Sequence, residues 1–313
     1  MAASLFGLVR LGASWESTRT LQSSLDPFYT APDPIPSELG TVIRSEPMDI
    51  DVPGGSAQRI LYVSERPDGT PAVSGAMVFI PDSPAPSEGR PVVAWQHGTL
   101  GMGDACVPSR STNPTTDMFT FLGPMMEQGW VITATDYVGL GTTGPNQYLI
   151  AQSEVRDVVN AVRAARNIPE AAAGSRYATF GHSQGGHASI WAGHLGAQYA
   201  PELELVGVAA AAPALNLSEI ASAQWDTAVG WVIGSDLVES WPTYYPNLLF
   251  STAQARESFF AAYLAHFKYK RVGIAYPNAE DAFTEQFYEL GVTEYAGTPV
   301  FLAREDPDGW IWR

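Results

Sequence analysis

The sequence predicts an α/β fold: a mainly parallel sheet with helices on both faces. Three observations predict it. Continuous apolar runs at Pro91–Trp95, Trp130–Thr135 and Leu205–Ala211 read as strands covered on both sides. Between them, Ala151–Arg166 is a helix, with Val155, Val158, Val159 and Val162 at i, i+3, i+4, i+7. Strands then alternate with helices, which implies parallel pairing through right-handed crossovers.

The elements follow in order. Residues 1–23 read as a leader or a disordered segment. The apolar run Ser4–Val9 is cut by Arg10, short of the apolar core of a signal peptide. From Asp26, the run Asp-Pro-Phe-Tyr-Thr-Ala-Pro-Asp-Pro-Ile-Pro predicts an ordered surface arm and no helix. Strand-like runs at Gly40–Arg44, Ala57–Ser64 and Gly75–Ile80 are bounded by Pro/Gly/Asp turns and predict antiparallel pairing. A helix is expected over Thr115–Gln128, and a glycine-rich loop over Gly139–Gly144. No stretch approaches the roughly 18 apolar residues of a membrane span.

Composition narrows the function classes. The chain has 313 residues, 45% of them hydrophobic, enough for one large domain with an insertion. Its net charge of −16 repels phosphate backbones and argues against a nucleic-acid partner. The single cysteine, Cys106, allows neither an intrachain disulfide nor a multi-cysteine zinc site. No phosphate-cradling or dinucleotide motif occurs, so no cofactor is expected.

The chemistry concentrates at Gly181-His182-Ser183-Gln184-Gly185-Gly186. A strand precedes this Gly-x-Ser-x-Gly and a helix follows, which is the context of a nucleophile elbow. Side chains at Gly181 or Gly185 would crowd the turn that lifts the Ser183 hydroxyl above the sheet edge. Ser183 is the candidate nucleophile. The Gln184 backbone N–H is placed to hold an oxyanion. His97-Gly98-Thr99 ends a buried strand, and the Thr99 N–H is the second candidate donor, its hydroxyl a third. His97 reads as a loop-capping residue. Asp136 also sits at a strand end, so it is expected to converge on the same place.

Four motifs in order carry a resemblance: Asp26-Pro27-Phe28-Tyr29; His97-Gly98-Thr99 with Cys106-Val107-Pro108-Ser109; Asp136-Tyr137-Val138-Gly139-Leu140-Gly141; and the Ser183 elbow. Together they resemble the secretory lipase family, of the fungal lipase A type with actinobacterial relatives. The resemblance implies an α/β-hydrolase fold, with a core over 24–215, a helical lid over 216–295 and a return to the core over 296–313. It implies hydrolysis of acyl esters such as triacylglycerols at a lipid–water interface, and secretion. It also implies Ser183 as nucleophile, with oxyanion donors at Gln184 and in the Thr99 loop. An acyltransferase and a non-catalytic lipid-binding protein are the alternatives. The aromatics of the lid segment are expected to do both, most forming the lid's own small core and some lining an acyl pocket.

The sequence departs from this pattern in its base. The fold presents serine, acid and histidine in that chain order. After Ser183 come only His187, His194 and His266. The first two lie on the helix behind the elbow, and His266 falls in the lid segment. The acid is Asp308, or it lies past Arg313. The expectation is therefore an incomplete triad, with the final strands missing and activity impaired.

Overall fold

The computed structural model describes residues 22–245, apart from 112, 225–232, 235 and 238–239. Seven strands form one sheet in the order β1-β2-β3-β5-β4-β6-β7. They are β1 (Val42–Pro47), β2 (Gly55–Glu65), β3 (Pro71–Pro81), β4 (Arg90–Gln96), β5 (Val131–Thr135), β6 (Ala173–His182) and β7 (Glu204–Ala211). The first three form an antiparallel meander, as the short spacings predict, and β3 pairs antiparallel with β5. From there the sheet is parallel: β4 with β5, β4 with β6, β6 with β7. The expected α/β-hydrolase architecture is borne out.

Period-two alternation builds the two cores. On β3, Ala76, Val78 and Ile80 face one layer, while Met77 and Phe79 face the other. The first layer is covered by α3 (Ala151–Arg166) and α4 (Gln184–Tyr199). The predicted valine stripe of α3 is fully buried there. The second is covered by α2 (Leu122–Glu127), Met118 and Phe121. There Trp95, Phe121 and Phe180 pack ring on ring, with centroids 4.8–5.1 Å apart.

Two local expectations are corrected. Residues 22–29 form a helix, α1, where the proline-rich sequence predicts an extended arm. Tertiary contacts override the proline: Leu25, Phe28 and Tyr29 pack on Leu61 and Val73, and the Arg110 guanidinium binds the Gln22 carbonyl and the Asp26 carboxylate. The helix stops before the prolines at 32, 34 and 36. The single helix expected over Thr115–Gln128 is instead a 3₁₀ turn at Thr116–Met118 followed by α2. Pro124 has no N–H to give the Thr120 carbonyl, so helix restarts at Leu122 instead of running through.

Beyond β7, α5 (Leu217–Gln224) and a 3₁₀ turn at Trp241–Thr243 are helical. Trp241 and Tyr245 are buried in the first layer's core, so these two aromatics seat the segment on the domain. Residues 225–232, 235, 238–239 and 246–295, with His266, and all of 296–313, with Asp308, lie outside the described residues. Among the described residues, no helix is long and apolar enough to cross a membrane.

Candidate active site

Ser183 is the residue between β6 and α4. Its backbone has φ 57° and ψ −117°, a conformation sparsely populated by residues with a side chain. The surroundings enforce it. The Ser183 N–H donates to the Ala211 carbonyl (3.0 Å), and its own carbonyl accepts from His187 N (3.0 Å) and Ala214 N (3.2 Å). The glycines are there because backbone closes on backbone. A Cβ on Gly185 would lie 2.5 Å from the Gln96 carbonyl carbon and 2.8 Å from the His97 oxygen. A Cβ on Gly186 would meet Pro213 at 2.9 Å, and one on Gly181 would enter the Gly185 carbonyl. Ser183 is half-buried, and His182 before it is exposed.

The sheet register levels the strand ends. Gln96 pairs with Thr135 on one side and Gly181 on the other, so β4, β5 and β6 finish at the same height. The loop after β4 therefore abuts the elbow: a Cβ on Gly98 would sit 3.5 Å from the Ser183 Cβ. His97 holds this loop, as its sequence position suggests. It is buried, its Nδ1 lies 2.7 Å from the Gly98 carbonyl oxygen, and its ring packs on Tyr137 at 4.7 Å. Burial lowers its pKa, so the ring is held neutral.

Thr99 is next to the elbow through Gly98, and its hydroxyl is engaged, 2.6 Å from the Tyr148 phenol. The Tyr148 carbonyl in turn accepts from the Trp241 indole at 3.1 Å. Burial, then the Asp236 carboxylate, push the Tyr148 pKa up, so the phenol remains a proton donor. Gln184 is the first residue of α4, where the backbone N–H has no acceptor one turn back. Its side-chain Nε2 donates to Glu154 Oε1 at 3.0 Å.

Asp136 does not converge on this place. Its carboxylate accepts from the Ser109 N–H at 3.1 Å and from the Ser109 hydroxyl, beside Tyr29 and Gly75. Burial raises its pKa to about 6 against those bonds. The strand end is where the sequence places it. The side chain is drawn instead towards the packing of α1 and the 108–110 turn.

Three of the described histidines, His97, His187 and His194, are committed elsewhere, and the fourth, His182, is exposed on the residue before Ser183. His187 Nδ1 is 2.6 Å from Glu154 Oε2, with both side chains buried. His194 packs edge to face with Trp191, with centroids 5.7 Å apart. No described side chain hydrogen-bonds the Ser183 hydroxyl, and no group of three or more His, Cys, Asp or Glu among the described residues has the arrangement of a metal site. Sequence reasoning missed Glu154 and Tyr148. Glu154 stands in the first turn of α3, where an acidic residue reads as a helix-start signal.

Comparison with known proteins bears out the resemblance read from the sequence. The model of the family described as "Secretory lipase" matches residues 107–258. A probable inactive lipase of Mycobacterium tuberculosis is 27% identical over 215 residues, covering 64% of this chain and 47% of that protein. Lipase A of Moesziomyces aphidis is 29% identical over 196 residues, 58% of this chain and 41% of that protein. The chain thus spans about half the length of the curated relatives it matches. Among solved structures, the cell-wall-degrading esterase LipA of Xanthomonas oryzae superposes with TM-score 0.65 at 19% identity, covering 86% of this chain and 79% of that one. Candida antarctica lipase A superposes with TM-score 0.63 at 20% identity, covering 89% and 67%. At these identities the superpositions establish the α/β-hydrolase fold.

Proposed function

We propose, from kinship with the secretory lipases and from the geometry at Ser183, that this protein is a carboxylic ester hydrolase acting on acyl esters of lipids. The observation that carries the reading is the strained, positive-φ Ser183 at the β6–α4 turn, with the His97–Thr99 loop packed against it. In the proposed mechanism Ser183 Oγ attacks the ester carbonyl. The backbone N–H groups of Gln184 and Thr99 receive the oxyanion. The tetrahedral intermediate collapses, the alcohol leaves with a proton, and water then releases the acyl group from Ser183. A donor of this kind contributes roughly 2.7–4 kcal/mol to the transition state. The base that takes the Ser183 proton is sought outside the described residues, where His266 stands. Family kinship also supports export and work at a lipid–water interface.

Intact mass after incubation with a fluorophosphonate tests the reading, with Ser183→Ala and His266→Ala beside the wild type. A single adduct lost in Ser183→Ala is the expected result. Its loss in His266→Ala as well assigns the base. No adduct on folded protein is the outcome expected of an incomplete triad, and lipid that co-purifies with such protein overturns the hydrolase reading in favour of a lipid carrier. Turnover of emulsified long-chain esters against short soluble ones then separates lipase from esterase.

A further inference from the structure

The Glu154 carboxylate gathers three donors that belong to different parts of the active-site wall. Oε1 accepts from Gln184 Nε2 at 3.0 Å and from the Leu149 N–H at 3.2 Å, and Oε2 is 2.6 Å from His187 Nδ1. Its side chain is 2% exposed. A buried carboxylate is costly unless its oxygens are satisfied, so these bonds hold their donors firmly. Gln184 and His187 are on the first turn of α4, directly after Ser183. Leu149 is on the other wall. It has a positive φ of 54°, and the residue before it, Tyr148, binds the Thr99 hydroxyl. One side chain on α3 therefore reaches both proposed oxyanion donors. It reaches Gln184 through that residue's own side chain, and Thr99 through Leu149 and Tyr148.

We propose that Glu154 is a positioning residue that clamps the two halves of the oxyanion pocket, Gln184 and the Tyr148–Thr99 pair, to one point on α3. The proposal rests on the hydrolase reading above. A merely structural account would make Glu154 a helix-start residue serving the Leu149 N–H. Glu154→Gln separates the two. An amide oxygen in the Oε1 place still serves Leu149 and Gln184 but without the carboxylate's charge, and the NH₂ meets His187 Nδ1, which accepts only after a change of tautomer, so the hold on the first turn of α4 weakens.

The experiment measures phosphonylation of Ser183, resolved into the affinity of the fluorophosphonate and the first-order bond-forming rate. The affinity in Glu154→Gln is expected within twofold of wild type. The rate is expected to fall on the order of 10²-fold, as when pocket groups are misplaced by an ångström. Asp157→Asn, a buried carboxylate on the same helix facing Ser64 and Val138, controls for damage to α3 and should hold the rate within threefold. A wild-type rate in Glu154→Gln overturns the clamp, as does an equal loss in Asp157→Asn. If Glu154→Gln does not fold, Tyr148→Phe decides from the other end. A rate loss at unchanged affinity supports the clamp, and an unchanged rate overturns it. If wild type itself forms no Ser183 adduct, Ser183 is not activated within this chain, which bears on the hydrolase reading and leaves the clamp to a structural test. Crystal structures of wild type and Glu154→Gln then decide the clamp: joint displacement of Gln184 and Tyr148–Leu149 supports it, and unmoved walls overturn it.

Discussion

Substituting Gly185 by alanine puts the packing of the elbow to a direct test. The added Cβ would lie 2.5 Å from the Gln96 carbonyl carbon and 2.8 Å from the His97 oxygen, closer still to the Gln96 oxygen. Ordinary contacts between such atoms are about 3.5–4.0 Å. The end of β4 and the first turn of α4 must therefore part by about 1.5 Å. Neither can yield by rotating a side chain, because every obstructing atom is backbone. Gln96 is tied on both flanks, to β5 and to β6. Over-packing costs about 1–3 kcal/mol where side chains can adjust, so about 3 kcal/mol or more is expected here. Urea unfolding followed by circular dichroism measures it. Gly123→Ala is the internal comparison. It lies inside α2, where the new Cβ meets only Pro53 at 3.8 Å, and alanine should gain about 0.5–1 kcal/mol in helix propensity. A Gly185→Ala protein within 1 kcal/mol of wild type would refute the reasoning, because the elbow would then not be closed by β4.

Ser183→Gly should lose every fluorophosphonate adduct yet unfold at higher urea. Relief of backbone strain, about 1–3 kcal/mol, exceeds the 0.5–1 kcal/mol that glycine loses to the unfolded chain, and a destabilised variant would show that φ 57° carries no strain. Asp157 gives a pH dependence. Burial raises its pKa to about 7 despite bonds from the Val138 N–H and the Ser64 hydroxyl, so the folded state binds a proton that the unfolded chain, near 3.8, releases. Stability from this group is therefore full below about pH 4 and lost as pH rises to about 7, a swing of about 2–4 kcal/mol. Unfolding from pH 4 to 8 should show this fall shallower in Asp157→Asn than in wild type, with Asp136, raised to about 6, supplying the rest. Equal slopes in the two proteins would count against a protonated Asp157.

The parts of this molecule that the sequence exposes are those whose cause is local or periodic. The valine stripe of α3, the apolar runs of β4 and β5 and the glycines around Ser183 each state their own geometry, and the structure agrees. The run of β7 does form a strand, but among the described residues it ends the strand order and leaves Val206 and Val208 exposed, where its unbroken apolar sequence predicts cover on both faces. What the sequence hides depends on contacts distant along the chain. Nothing near Pro27 announces that Arg110 will bind Gln22 and Asp26 of α1, and the proline rule alone predicts the opposite. Asp136 leaves β5 at the level of the elbow, yet its carboxylate is claimed by Ser109, 27 residues earlier. Glu154 shows the sharper limit. A periodic reading divides α3 into an apolar face and a polar remainder, and assigns the remainder to solvent. That division holds for Arg166, which is exposed, but fails for Glu154, Asp157 and Asn160, all buried. Their partners come from β2, the 138–149 loop and α4, so only the assembled sheet turns polar residues of one helix into internal fasteners. A buried carboxylate facing three donors must hold those donors in place or leave them unpaired. This is why Glu154, which a periodic reading of α3 assigns to solvent, is where substitution should reach the Ser183 pocket without touching it.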